Sequence, residues 1–176
     1  MLWGLFFFIF DKNYQSIRMR HLKIEFKWAI IFTIASLTWM FLEQTLGWHD
    51  EKIADHYWLT MLYIPLAIFM YILALREKRR RFYNKQLSWR QGFLSGFVVS
   101  LFAAALSPVA QYLTHNYITP AYFPNIIEYS VTNKLMTIGA ANEYFNINNY
   151  MMQSAIGVLI GGFVLSAIAA FILRRN

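Results

Sequence analysis

Cysteine is absent from this chain, which excludes disulfides, thiolate metal sites and cysteine nucleophiles. Charge is scarce: 14% of the 176 residues are Asp, Glu, Lys or Arg, against about 25% in soluble domains. Hydrophobic residues make up 58%, against roughly 45–50%. So little polar surface cannot clothe a core in water. Catalytic signatures are missing as well, with no GxSxG elbow, no HExxH and no glycine-rich phosphate loop. The expectation is a protein that is not an enzyme and carries no cofactor.

What is present is four long apolar runs, over about 28–46, 57–75, 92–113 and 154–173. At a 1.5 Å rise per residue, runs of this length reach about 28–33 Å, which matches a hydrocarbon core of about 30 Å. The fold class expected is all-α, an integral membrane bundle of four transmembrane helices over 28–176, preceded by a basic tail over 1–27.

The 16 Lys and Arg residues supply the orientation. Seven lie between Arg76 and Arg90, five precede Trp28, Arg174 and Arg175 close the chain, and Lys52 and Lys134 lie elsewhere. Lys and Arg collect in short cytoplasmic loops. Both termini are therefore expected on the cytoplasmic side, with 47–56 and 114–153 outside. The formal charge of +7 would suggest nucleic acid on a soluble fold, but here the cations bracket apolar segments, so no nucleic acid is expected. Anionic lipid headgroups are the expected partners of Arg76, Lys78, Arg79, Arg80 and Arg81. Residues 1–10 are apolar but too short to span and lack a basic leader. Two readings of 1–18 stay open: an interfacial segment, or an extension upstream of a start at Met19.

The second outer segment, about 40 residues, is too long to lack structure of its own. Asn125 with Glu128 three residues on reads as a helix N-cap and its reciprocal partner. Ile127, Val131, Leu135 and Ile138 then fall on one face, with Lys134 in the last turn and Gly139 as the stop. A short amphipathic helix is expected there, on the membrane surface or capping the bundle. Small residues mark the helix contacts. Gly92, Gly96, Ser100, Ala104 and Pro108 form a ridge on the third span; Gly157 with Gly161, and Gly162 with Ser166 and Ala170, form two on the fourth. In lipid, close backbone approach drives association, so these ridges predict that the third and fourth helices pack together, and they leave open a dimer interface. Pro65 and Pro108 are candidates for kinks.

Glu43 is the one carboxylate inside the spans so drawn, about one turn from the outer surface. An ionisable group at that depth is a functional candidate by default. It reaches the interface or bonds a neighbouring helix through Gln111 or Gln153; the competing reading is a proton- or ligand-binding site built from Glu43, Gln111, Tyr112 and Gln153. His49, Asp50 and His56 lie beside it in sequence, and His115 ends the third span at the same level. Imidazoles and carboxylates together can bind a divalent ion. Their spacing is no ligand signature, so no metal is expected.

Several phrases, taken in order, resemble a bacterial membrane family catalogued as domain of unknown function 4199. They are Phe41-Leu42-Glu43 with Gly47-Trp48-His49-Asp50, then Leu75-Arg76-Glu77-Lys78-Arg79, then Gln91-Gly92-Phe93 with Ser95-Gly96. Tyr117-Ile118-Thr119-Pro120, Tyr122-Phe123, Tyr144-Phe145 and Tyr150 with Gln153 continue the series. The resemblance runs from about Arg20 to Arg174 and implies a four-span inner-membrane protein without assigned activity or catalytic residues. The expected function is non-enzymatic, through packing, lipid contact, a second copy or another membrane protein; the alternative is a small transporter or ion-coupled protein with its polar site near Glu43.

Overall fold

The computed structural model describes residues 12–175, with side chains from residue 22 onward. The expected readings of 1–10 lie outside the described residues. Helix α1 runs Lys12–Thr45, and α2 runs His56–Phe82 with a 3₁₀ turn at Thr60–Leu62. Helix α3, Trp89–Leu113, continues into a π-helical turn, Thr114–Ile118. Two short helices follow, α4 (Tyr122–Thr132) and α5 (Ile138–Tyr144), before α6 (Ile147–Leu173). Four segments are long and apolar enough to cross a membrane: Leu22–Thr45, His56–Phe82, Trp89–Ile118 and Ile147–Leu173.

Burial here is inverted relative to a protein that folds in water. Large apolar side chains such as Ile34, Phe41, Phe69, Leu101, Ile160 and Phe171 point outward, whereas Gly96, Ser100, Ala103, Gly162, Ser166 and Ala169 are buried. Lipid tails solvate the large residues as well as a core would, so the interior is left to residues that let backbones meet. Helices α3 and α6 form the central pair, with α1 laid on α3, α2 laid on α6, and α1 beside α2.

The expected ridge sits at the centre of this pair. A Cβ built on Gly96 would fall 2.7 Å from the Ser166 hydroxyl and 2.9 Å from its Cβ, and one on Gly92 would fall 3.0 Å from the Ala170 Cβ. Gly162 faces Ser100, whose hydroxyl also meets the Tyr71 hydroxyl at 2.7 Å. Ala104 is buried further along the same ridge. Gly157 and Gly161 depart from expectation. Both are exposed, and a Cβ on either would meet nothing within 4 Å. They line an apolar groove of about 430 Å³ with Phe32, Tyr63 and Val158. Adjacent ridges on one helix point about 100° apart, and the third helix engages only the one through Gly162.

The prolines are accommodated locally. Pro65 falls in the first turn of the regular helix Tyr63–Phe82, where its missing N–H has no duty. Pro108 removes the N–H that would bond the Ala104 carbonyl, and the Ser107 hydroxyl donates to that carbonyl instead, at 2.9 Å. At the basic end, Ser88 and Gln91 form a capping box that starts α3. Leu87 and Arg175 exchange backbone hydrogen bonds of 3.1 and 2.9 Å, tying the α2–α3 loop to the C-terminal segment.

The short helix expected within 114–153 is present but differs from the expected one in its bounds. It starts at Tyr122, three residues before Asn125, so Asn125 is inside it and its side-chain amide donates to the His49 carbonyl at 3.0 Å. The helix ends by Asn133, Leu135 and Ile138 are exposed, and Gly139 belongs to α5, which Thr137 caps. A tertiary partner for Asn125 outweighed its capping preference.

The two classes of glycine should respond oppositely to enlargement. Gly96→Leu forces apart α3 and α6 and should cost about 1–3 kcal/mol, the usual penalty of overpacking. Gly157→Leu enters open space and should leave thermal unfolding in detergent within experimental error. Equal losses would place both on one contact.

Candidate functional site

Glu43 lies in the last turn of α1, and Gly47 decides what it meets. With φ of +73°, Gly47 adopts the left-handed conformation that glycine favours. The Trp48 N–H reaches back to the Glu43 carbonyl at 2.9 Å and the Gly47 N–H to the Gln44 carbonyl at 3.1 Å, the pair of bonds that defines a Schellman cap. The chain reverses there, so His49 returns over the helix end it has just left. A run of turns then delivers His56 at the start of α2.

These three side chains converge. Glu43 Oε2 lies 3.0 Å from His49 Nε2 and 3.3 Å from His56 Nε2, while Oε1 accepts from the Trp39 indole at 2.5 Å. The Glu43 side chain is 0% exposed, His49 2% and His56 16%. The Tyr122 ring of α4 roofs the cluster, its centroid 5.2 Å from that of His49 and 5.3 Å from that of His56. Burial pushes the Tyr122 phenol well above its usual range, so it stays protonated, and its hydroxyl meets that of Tyr150 at 3.2 Å. Each donor set has a clear chemical capacity: a buried carboxylate holding two imidazoles can store a proton, bind a cation or fix the helix end.

The other expected members are distributed differently. Gln111 bonds His115 at 3.1 Å, Tyr112 points outward and Gln153 is exposed, so none of the three joins Glu43. Glu43 is enclosed rather than reaching the interface. Asp50 is exposed and accepts from the Glu51 N–H at 2.8 Å. His115 is buried on the π-helical turn, stacked on Phe123 at 4.2 Å, and the Tyr122 ring touches it as well as His49 and His56. Sequence reasoning missed Trp39 and Tyr122. The spacing of Trp39 four residues before Glu43 was the available signal for the first; Tyr122 reaches the site only through the path of the segment between α3 and α6.

A second buried charge cluster lies at the basic end. Lys78, expected at lipid headgroups, is instead buried with its ammonium 2.7 Å from Glu25 Oε1, and Ser95 of α3 donates to the same oxygen at 2.7 Å. Glu25 escaped the sequence reading because the first span extends back to Leu22. Arg79 is half-buried and donates to the Leu173 carbonyl at 3.1 Å, while Arg76, Arg80 and Arg81 remain exposed. Beside them Lys27 and the Trp28 indole both donate to Glu77, the indole at 2.8 Å.

The class these features define is a multi-pass helical membrane protein with a buried carboxylate–imidazole cluster at one end and a buried lysine–glutamate pair at the other. The chain belongs to the family described as "Protein of unknown function (DUF4199)", whose model matches residues 27–175. No curated protein and no solved structure matches it.

Removing one partner of a buried ion pair leaves the other uncompensated. Lys78→Met should therefore destabilise the protein by about 3–5 kcal/mol, and Glu25→Gln combined with Lys78→Met should recover much of that loss. Thermal unfolding of the single and double variants in detergent measures both; additive losses would show that the two charges are energetically independent.

Proposed function

We propose that this is a non-enzymatic protein of the bacterial inner membrane, with both termini in the cytoplasm, that acts through contact with lipid and with another membrane protein or a second copy of itself. The observation that supports this reading is the division of the exposed side chains. Arg76, Arg80, Arg81 and Arg90 are exposed at one end, Arg81 with its guanidinium 3.1 Å from Glu77, and are suited to anionic headgroups on the cytoplasmic leaflet. At the other end Tyr117, Leu135, Ile138 and Tyr144 are exposed beside the roofed cluster, apolar and aromatic groups suited to an interface or a partner surface.

The absence of cysteine makes the orientation straightforward to test. Glu51→Cys should react with an impermeant maleimide in intact cells, and Gln86→Cys only after permeabilisation. Labelling of position 86 from outside would overturn the assignment.

A second reading, coupling to a proton or cation, is favoured by the enclosure of Glu43 within a membrane-spanning segment. Reconstituted vesicles carrying a pH-sensitive dye separate the two. The expected result is no flux from the parent or from Glu43→Gln. A flux in the parent that vanishes in a folded Glu43→Gln protein would replace the first reading with the second.

A further inference from the structure

The three polar side chains at the outer end meet in a way that packing alone does not require. Both imidazoles direct Nε2 at one oxygen of Glu43, and the three ligand atoms all lie within 4.8 Å of one another. Ligands at 2.0–2.1 Å from a tetrahedral ion are about 3.3 Å apart. Two edges of the triangle, 3.0 and 3.3 Å, already have that length.

The geometry points to a binding site for a divalent first-row metal ion of the zinc type, held by Glu43 Oε2, His49 Nε2 and His56 Nε2. Two imidazoles and a carboxylate suit such an ion, and three protein ligands leave one coordination position for water or an outside group. The inference goes beyond the proposed function, which names no ligand.

The surroundings fit a metal centre in three respects. Trp39 occupies Oε1, so the carboxylate is turned with Oε2 toward the imidazoles; partners of this kind orient a ligand and raise its affinity. In the ion-free site the Glu43 carboxylate, an acceptor only, takes the His49 Nε2–H; Nδ1 of His49 is buried without a partner among the described residues, and in the tautomer with the proton on Nδ1 the Nε2 lone pair faces the site. The donors also come from fixed places: the last turn of α1, a Schellman-capped reversal pinned by Asn125, and the first turn of α2. Partial exposure of His56 provides the entry side.

The test uses the full chain purified in detergent, stripped with a chelator, and titrated with Zn²⁺ by calorimetry and with Co²⁺ by visible absorption. The parent should bind one ion per chain, give the intense d–d bands of tetrahedral Co²⁺, and lose them on addition of Zn²⁺. His56→Asn, at the partly exposed position where folding is least at risk, should weaken binding by more than about 100-fold, since losing even an outer partner of a ligand costs about 10–100-fold. Glu43→Gln should do the same, and Trp39→Phe should lose about 10–100-fold. His115→Asn should bind as the parent does. No saturable Zn²⁺ binding by the stripped parent overturns the inference, as does binding undiminished in folded His56→Asn. Neither result depends on which way the chain crosses the membrane or on any flux.

Discussion

Hydrocarbon gives helices no hydrophobic reason to associate, because a leucine facing a lipid tail is as well solvated as a leucine facing another helix. What remains is dispersion between closely fitted surfaces, and the contact of α3 with α6 supplies it. Gly92 against Ala170, Gly96 against Ser166 and Gly162 against Ser100 bring the two backbones together over the part of the contact nearer the basic end. The other two helices depend on this pair. Helix α1 packs Ala29 against Val99 and Ala103 of α3, and α2 packs Tyr71 and Leu75 against Ala169, Ala170 and Leu173 near the basic end. The Tyr71 hydroxyl reaching Ser100 shows how a polar group is kept inside the bundle: it is paired at the point where three helices meet.

Charge is confined to the two ends, and each end solves the cost of burial with groups from several elements. At the basic end Glu25 of α1, Lys78 of α2 and Ser95 of α3 share one carboxylate oxygen. At the other, Glu43 of α1 is met by His49 from the turn and His56 from α2, under Tyr122 from α4. A buried ion pair adds little net stability compared with apolar replacements, but it penalises every arrangement that separates its members. Two such clusters, one at each end of the span Leu22–Thr45, fix both the register and the rotation of that helix against the α3–α6 pair.

The spans were legible in the sequence because an apolar run of about 20 residues has few other uses. Their ends were not, because a helix need not stop where the hydrocarbon does: α2 continues through Arg76 to Phe82, and α6 begins at Ile147 on an Asn146 cap. That extension hid the Glu25–Lys78 pair, since Lys78 inside a run of arginines has the pattern of a solvated face. The ridge on the third span was legible, yet the fourth span offered two, and which of them faced α3 was a matter of rotation that the sequence left open. Glu43, His49 and His56 were all visible as residues. Their convergence was not, because it depends on Gly47 taking a left-handed conformation that reverses the chain over the helix end.

The position of Glu43 argues that its two imidazoles are there for the carboxylate's sake. It sits in the last turn of α1, where the helix dipole presents partial negative charge, and its side chain is fully buried. Both circumstances disfavour an anion, and a residue chosen only to pack would be apolar or an amide. An anion kept there needs positive or donating groups within reach, and the fold brings four: an indole from one turn earlier in α1, one imidazole by the reversal at Gly47, a second as α2 begins, and the Thr60 hydroxyl one turn further on. None of these donors is required to join α3 to α6. The turn, the start of α2 and the roof formed by α4 are all arranged around one carboxylate.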